Sequence, residues 1–365
     1  MSDRAGSTGT RWHSRPLDGL RGIAIAAVML EHTNVAIGSF GYLGVDVFFV
    51  LSGYLITTLL MRERERLGRV DLPRFYLRRA LRLYPALVMT VVVFAPFARY
   101  VAANHTTAGY AEAALLSLTY VQNIAVTLGH NAGLGHTWSL AMEEQFYLLW
   151  PVTLLALTRL GHRRAAMVTA GIGLLSMAAY ATFLRPVPGG LPIVYFNPLT
   201  RAGPLMMGCA LALWLSSAPV TSRRIVRALS TGGVVGLAGL AVFADVALNQ
   251  HWEALDIPLA ALSTCALITG VTGGQVSVVS RVLATRPLVG LGTISYALYL
   301  VHVPVYAILG SHWTGARHDL IAVEMLVSIA IASLSYVTVE RYFRRLRPIA
   351  APRRDVHVEK RLVPA

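Results

Sequence analysis

Ten runs of predominantly apolar residues, each close to the length of a bilayer-spanning helix, divide almost the whole of this 365-residue chain. They fall at about residues 17–37, 41–61, 83–102, 138–158, 164–184, 199–217, 225–246, 254–274, 288–310 and 319–340. About 20 apolar residues in a helix cross the hydrocarbon core of a membrane. In lipid, only helices and closed barrels leave no backbone group unpaired. The pattern therefore predicts an all-α fold, a polytopic membrane helix bundle of about ten transmembrane helices. The composition agrees, with 55% hydrophobic and 14% charged residues, and argues against an ordinary soluble domain.

The formal charge of +14 would suit nucleic acid if the arginines formed one patch. They occur instead in short clusters at alternate ends of the apolar runs: RERERLGR with Arg74, Arg78, Arg79 and Arg82, then RLGHRR, SRRIVR, Arg281 with Arg286, and RYFRRLRP. With ten crossings all of these lie on one side, which the positive-inside rule makes the cytoplasm. A multi-pass plasma-membrane protein with both termini cytoplasmic is expected. Segment 111–128 is also long enough to cross, but counting it would throw RLGHRR to the other side, so it reads as a re-entrant or interfacial piece. Residues 15–346 form one integral membrane domain, flanked by a polar tail at 1–14 and a charged tail at 347–365 that is too short to fold, both expected to be disordered. The first tail carries no cleavable signal pattern. Cys209 and Cys265 lie mid-run as small hydrophobes, and no disulfide framework or metal-ligand spacing is present.

Charged groups inside such runs are costly and mark candidate sites. Arg21 and His32 stand eleven residues apart, which brings them to nearly the same helix face about 16 Å apart along the axis. That separation is comparable to the reach of a phosphopantetheine arm, and histidine is the side chain best suited to general-base work near neutral pH. Asp46, the one acid in GVDVFFVLSGYLITTLL, is expected to pair with His or Arg of the first helix or to line a wet cavity. Glu143 and Glu144 are adjacent, so only one enters the core easily and the other should face a polar neighbour. Arg74, Arg78 and Arg82 recur every four residues, as in a helix lying on the membrane surface. That stripe suits either anionic headgroups or a phosphate-binding platform. Trp138 and Trp150 read as interfacial anchors, and Glu340 as a salt-bridge partner of nearby arginines. His302, beside Ser295, Tyr296 and Tyr299, has a weaker case than His32 because no matched charge shares its face.

Six segments in order, RPLDGLRGIAIAAVMLEH, GVDVFFVLSGYLI, FYLRRALRLYP, HTWSLAMEEQFYLLWP, GTISYALYLVH and SYVTVERYFRR, resemble the acyltransferase-3 family of integral membrane acyltransferases over residues 15–346. The resemblance implies transfer of an acyl group, often acetyl, from cytoplasmic acyl-CoA to a hydroxyl of a carbohydrate, glycolipid or macrolide-like metabolite. No tightly bound cofactor is implied. Arg21 and His32 match the family's essential pair, Arg79 and Arg82 its basic element, and Glu143 or Glu144 its Trp-Ser-Leu-x-x-Glu motif. Many bacterial relatives add a secreted esterase-like domain, and this chain is expected to be a form without one.

The expected mechanism docks the acyl-CoA phosphates on Arg78, Arg79 and Arg82, with Arg21 at a tunnel entrance. His32 deprotonates the acceptor hydroxyl, its basicity set by Asp46 or a motif glutamate, and an acyl-histidine route stays open. Two rivals are a proton-coupled transporter or flippase, in which His32, Asp46 and a glutamate form a relay, and a non-catalytic sensor whose intramembrane charges only hold helices together. The lack of internal repeats or broken helices in matching halves weighs against the transporter.

Overall fold

The computed structural model describes residues 14–33, 40–130, 133–184, 193–246, 253–274 and 276–346. Apart from Ser14, the two polar tails lie outside the described residues. All regular structure among the described residues is helical. The first three long helices are α1 (Arg15–Glu31), α2 (Leu43–Leu67) and α3 (Leu72–Phe94), followed by short α4 (Ala98–Val101), α5 (Thr107–Leu118) and α6 (Gln122–Thr127). The middle of the chain forms α7 (Trp138–Leu157), α8 (His162–Phe183), short α9 (Pro198–Arg201), α10 (Gly203–Ser217), α11 (Arg223–Val246) and α12 (Glu253–Thr272). Short α13 (Val278–Leu283), α14 (Arg286–His312), α15 (Arg317–Ser335), a π-turn at Tyr336–Glu340 and α16 (Arg341–Arg345) complete it.

Among the described residues, seven helical stretches are individually long and apolar enough to cross a membrane, beginning at Phe40, Leu72, His162, Arg223, Ala254, Arg286 and Arg317. The expected count of ten is not reached on that criterion. Of the helices in the other three apolar runs, α1 has 17 residues, α10 has 15, and α7 carries two glutamates within its 20. Of these three, α1 carries Arg21 and Glu31 and α7 carries Glu143 and Glu144, whereas α10 has no charged residue and follows directly on α9, which carries Arg201. The longer helices turn large apolar side chains outward, with Leu175 71% exposed, Leu326 67% and Val242 65%. Such a continuous apolar exterior suits lipid and would be a liability in water.

The arginine clusters gather at one end of the bundle. There Arg15 donates to the Ala284 carbonyl at 3.1 Å and Arg64 to Thr158 Oγ1 at 2.5 Å. Helix α3 departs from the expected arrangement. It starts where the side chain of Asp71 accepts from the Arg74 amide, and it continues without interruption to Phe94, through Pro85. The arginine stripe is therefore the first three turns of a membrane helix and not a separate surface helix. Segment 111–128 is broken into α5 and α6 at Tyr120, which takes a left-handed φ of 54°. Twelve residues at 1.5 Å rise cover about 18 Å, too little for either piece to cross.

Two helix crossings fix the interior. A Cβ on Gly292 of α14 would lie 1.8 Å from the Asp18 carbonyl oxygen, and one on Gly22 of α1 would lie 2.1 Å from that of Leu288. Only glycine allows α1 and α14 to approach so closely, the packing typical of membrane helices with small residues at the seam. Gly53 of α2 and Gly208 of α10 make a second such seam. Trp150 is buried rather than interfacial, because its Nε1–H donates to Thr57 Oγ1 at 2.8 Å across the α2/α7 contact. Trp138 is likewise buried, among Phe49, Tyr195 and Phe196.

Candidate active site

His32 caps the end of α1, and its Nδ1 donates to the Val28 carbonyl at 2.9 Å. A neutral imidazole that donates through Nδ1 presents an unprotonated Nε2, so the backbone selects the tautomer a base requires. The His302 ring meets His32 edge to face at 4.9 Å, and His136 meets His302 at 5.4 Å. His302 is pinned in the same way, with Nδ1 donating to Leu298 O at 3.0 Å and no hydrogen-bond partner at Nε2. His136 donates through Nε2 to Leu300 O at 3.3 Å. That carbonyl is released by Pro304, which has no N–H to return to a position four residues earlier. Three helix-linked backbone carbonyls thus hold three histidines in defined tautomers. Among the described residues no such cluster could hold a metal ion.

Tyr299, one turn before His302, donates to the His136 carbonyl and accepts from Ser139 Oγ at 2.5 Å. Both Tyr299 and Ser139 line a cavity of about 70 Å³ that also touches Arg21, Ser52, Glu143 and Ser295. The cavity therefore runs from the level of Arg21 to the side chains that support the histidines. Glu143 accepts from Ser52 Oγ at 2.8 Å and from the Tyr147 hydroxyl at 3.2 Å, and it lies within electrostatic reach of Arg79 and Arg21. Glu144 faces Arg79 and Arg82. Glu340, on the π-turn, bonds Arg344 at 2.7 Å and also faces Arg82 and Arg21. Arg21, Arg79 and Arg82 are thereby drawn together with two acids of α7 and one of the π-turn. A π-turn placed at this junction is typical of functional positions.

Two of the expected placements need correction. Asp46 makes its ion pair with Arg201 at 3.1 Å, with both side chains fully buried, and not with His or Arg of α1. Arg21 of the first helix lines the cavity instead, and the α2 face bearing Asp46 meets Arg201 of α9. Arg78 is held by Glu63 at 2.6 Å, so the arginine stripe is not a uniform platform. Arg79 instead lies over the Tyr147 ring at 3.7 Å. His302, ranked below His32 from sequence because it lacks a charged neighbour, is the side chain against the His32 ring. Arg201 and His136 were missed. For Arg201 the available signal was an arginine at the otherwise arginine-poor end of an apolar run. For His136 it was the proline two residues after His302.

A family model described as an acyltransferase domain matches residues 16–339. The chain is 31% identical over 343 residues to the O-acetyltransferase OatA of Staphylococcus aureus, covering 90% of this chain and 57% of that protein. It is 33% identical over 308 residues to the peptidoglycan O-acetyltransferase OatA of Listeria monocytogenes, covering 79% of this chain and 49% of the relative. The chain thus spans about half the length of the curated relatives it matches. No solved structure matches it. Matched over residues 16–339, a span that takes in His32, His136, His302, Arg21, Arg79, Arg82, Glu143 and Glu144, this chain belongs to the acyltransferase-3 family of membrane proteins.

Proposed function

We propose that the protein is a membrane O-acyltransferase that moves an acyl group, acetyl or another short chain, from acyl-CoA to a hydroxyl of an envelope carbohydrate. The observation that carries this reading is the placement of His32. Its Nε2 is kept free by the Nδ1 bond to Val28, and its neighbours His302 and Tyr299 connect it to a cavity that begins at Arg21. The names of the relatives, O-acetyltransferase and peptidoglycan O-acetyltransferase, support acetyl as the group and a cell-wall glycan as the acceptor.

The arginine-rich end is taken as cytoplasmic, and the donor enters there. Phosphates of CoA meet Arg78, Arg79 and Arg82. The Arg78–Glu63 pair is no obstacle, since a partly exposed ion pair is worth only about 1 kcal/mol or less and a polyphosphate offers more charge. Arg21 steers the pantetheine arm into the cavity, with the thioester toward Tyr299. His32 Nε2 takes the proton of the acceptor hydroxyl as its oxygen attacks the thioester carbonyl. The C–O bond forms, the C–S bond breaks, and the departing thiolate takes that proton back from His32 to leave as CoA thiol. Glu143 and Glu144 hold Arg21, Arg79 and Arg82 in place, while Asp46 acts elsewhere in the site.

The test is thiol release by purified protein in detergent with acetyl-, propionyl- and longer acyl-CoA plus a cell-envelope extract. Acceptor-dependent release that is lost in His32→Ala, with insertion intact, is the expected result. Full activity in that variant would remove His32 as the base. Substrate movement without thioester consumption would replace the reading with a transporter.

A further inference from the structure

Arg201 is one of the largest fully buried side chains of the protein, and its surroundings do not satisfy it. Its Nε and Nη1 have no hydrogen-bond partner among the described residues, and neither does Oδ2 of Asp46, its ion-pair partner. A guanidinium carries five N–H donors, of which one carboxylate can engage only two in a forked arrangement. A bare buried pair of this kind roughly breaks even against well-packed apolar residues, and unmet buried donors add a cost. The pair is therefore poorly explained as a clamp between α2 and α9.

The rest of the shell is aromatic. The guanidinium carbon lies 4.4 Å from the Tyr195 ring centre, 5.8 Å from those of Trp138 and Tyr180, and 5.9 Å from that of Phe49. Unmet donors, an unmet acceptor and flat apolar faces thus occur together around a locally neutral pair. An anionic ligand would meet Asp46 and, within electrostatic reach of it, Glu31 and Asp256. A cationic ligand would meet Arg201. A neutral polyhydroxylated ring satisfies every part: ring oxygens accept from Arg201, a hydroxyl donates to Asp46, and the C–H faces lie on the aromatic rings.

We propose that Arg201, Asp46, Tyr195 and Trp138 form the subsite that binds a neutral sugar ring of the acceptor. This inference rests on the transferase reading and gives it a location. Glu31, which faces Asp46, directly precedes His32, and Trp138 lies two residues from His136, so a sugar held here has its neighbouring hydroxyls beside the histidine cluster.

The experiment measures saccharide binding directly, by calorimetry and by tryptophan fluorescence, on the full chain in nanodiscs. The probes are N-acetylchitotetraose and maltotetraose. Wild-type protein is expected to bind at least one of them, and Arg201→Lys and Tyr195→Ala are each expected to weaken that binding at least tenfold. Acetyl-CoA binding should stay within twofold in both variants. If Arg201→Lys fails to fold, Tyr195→Ala carries the comparison. Binding of neither sugar to wild type, or undiminished binding in folded variants, would overturn the subsite. Sugar binding that the variants weaken, in a protein that never releases CoA thiol, would overturn the transferase reading while keeping the subsite.

Discussion

Replacing Gly292 by alanine adds one methyl group and should nonetheless remove most of the activity. The new Cβ would stand 1.8 Å from the Asp18 carbonyl oxygen of α1, whereas ordinary contact begins near 3.4 Å. Helices α1 and α14 must therefore separate by about 1.6 Å at that level, because the obstructing atom is backbone and cannot rotate away. His32 is on one of these helices and His302 on the other, so their 4.9 Å edge-to-face contact opens with the seam. A displacement of about 1 Å in a catalytic array can cost on the order of 100-fold in rate, and overpacking a tight interface costs about 1–3 kcal/mol. Gly290 provides the control. It lies two residues away on the same helix, and a Cβ there meets nothing within 4 Å. Gly290→Ala should keep wild-type turnover and gain stability of about 0.5–1 kcal/mol from reduced chain entropy. The assay is acyl-CoA thiol release with an envelope extract, alongside thermal unfolding of both variants. Equal turnover in Gly292→Ala and Gly290→Ala would refute the link between this seam and the histidine geometry.

Three further substitutions test individual contacts. Tyr299→Phe leaves the His136 carbonyl and the Ser139 hydroxyl without the phenol between them; a stability loss of about 1–3 kcal/mol and a fall in kcat are expected, and an unchanged melting temperature with unchanged kcat would count against the arrangement. Pro304→Ala returns an N–H to the Leu300 carbonyl and takes it from His136. Helix propensity improves by up to about 3 kcal/mol, so kcat should fall while thermal stability holds or rises, and a variant with full kcat would show that the His136 contact is dispensable. Glu63→Gln releases Arg78 from its 2.6 Å partner; KM for acyl-CoA should drop several-fold at low salt and converge with wild type at high salt, and no change at low salt would remove Arg78 from donor binding.

The helical, membrane-embedded class of the fold was legible because it depends on run length and on the cost of unpaired backbone in lipid, both of which are one-dimensional properties. The surface helix at Arg74–Arg82 was misjudged because charge periodicity describes a face and says nothing about where a helix ends; α3 simply continues through Pro85. The partner of Asp46 was not legible, since choosing between α1 and α9 requires knowing which face of α2 meets which neighbour. His302 illustrates the same limit. Its contact with His32 arises from the α1/α14 glycine seam, and the residues that create that seam are about 270 positions apart.

The same separation governs how the protein is made. Helix α1, 17 residues long and carrying Arg21, leaves the ribosome well before α14. The groove over Gly19 and Gly22 is filled by backbone of Leu283 and Leu288, which emerges far later. At about 5–20 residues per second, α1 waits on the order of 15 to 55 seconds for α14. During that interval its polar face has only α2 and early neighbours to shelter it from lipid. Chains released before His302 is synthesised should therefore present a glycine-lined helix without its α14 partner to the membrane's quality-control proteases, and the histidine cluster comes into existence only once α14 has emerged.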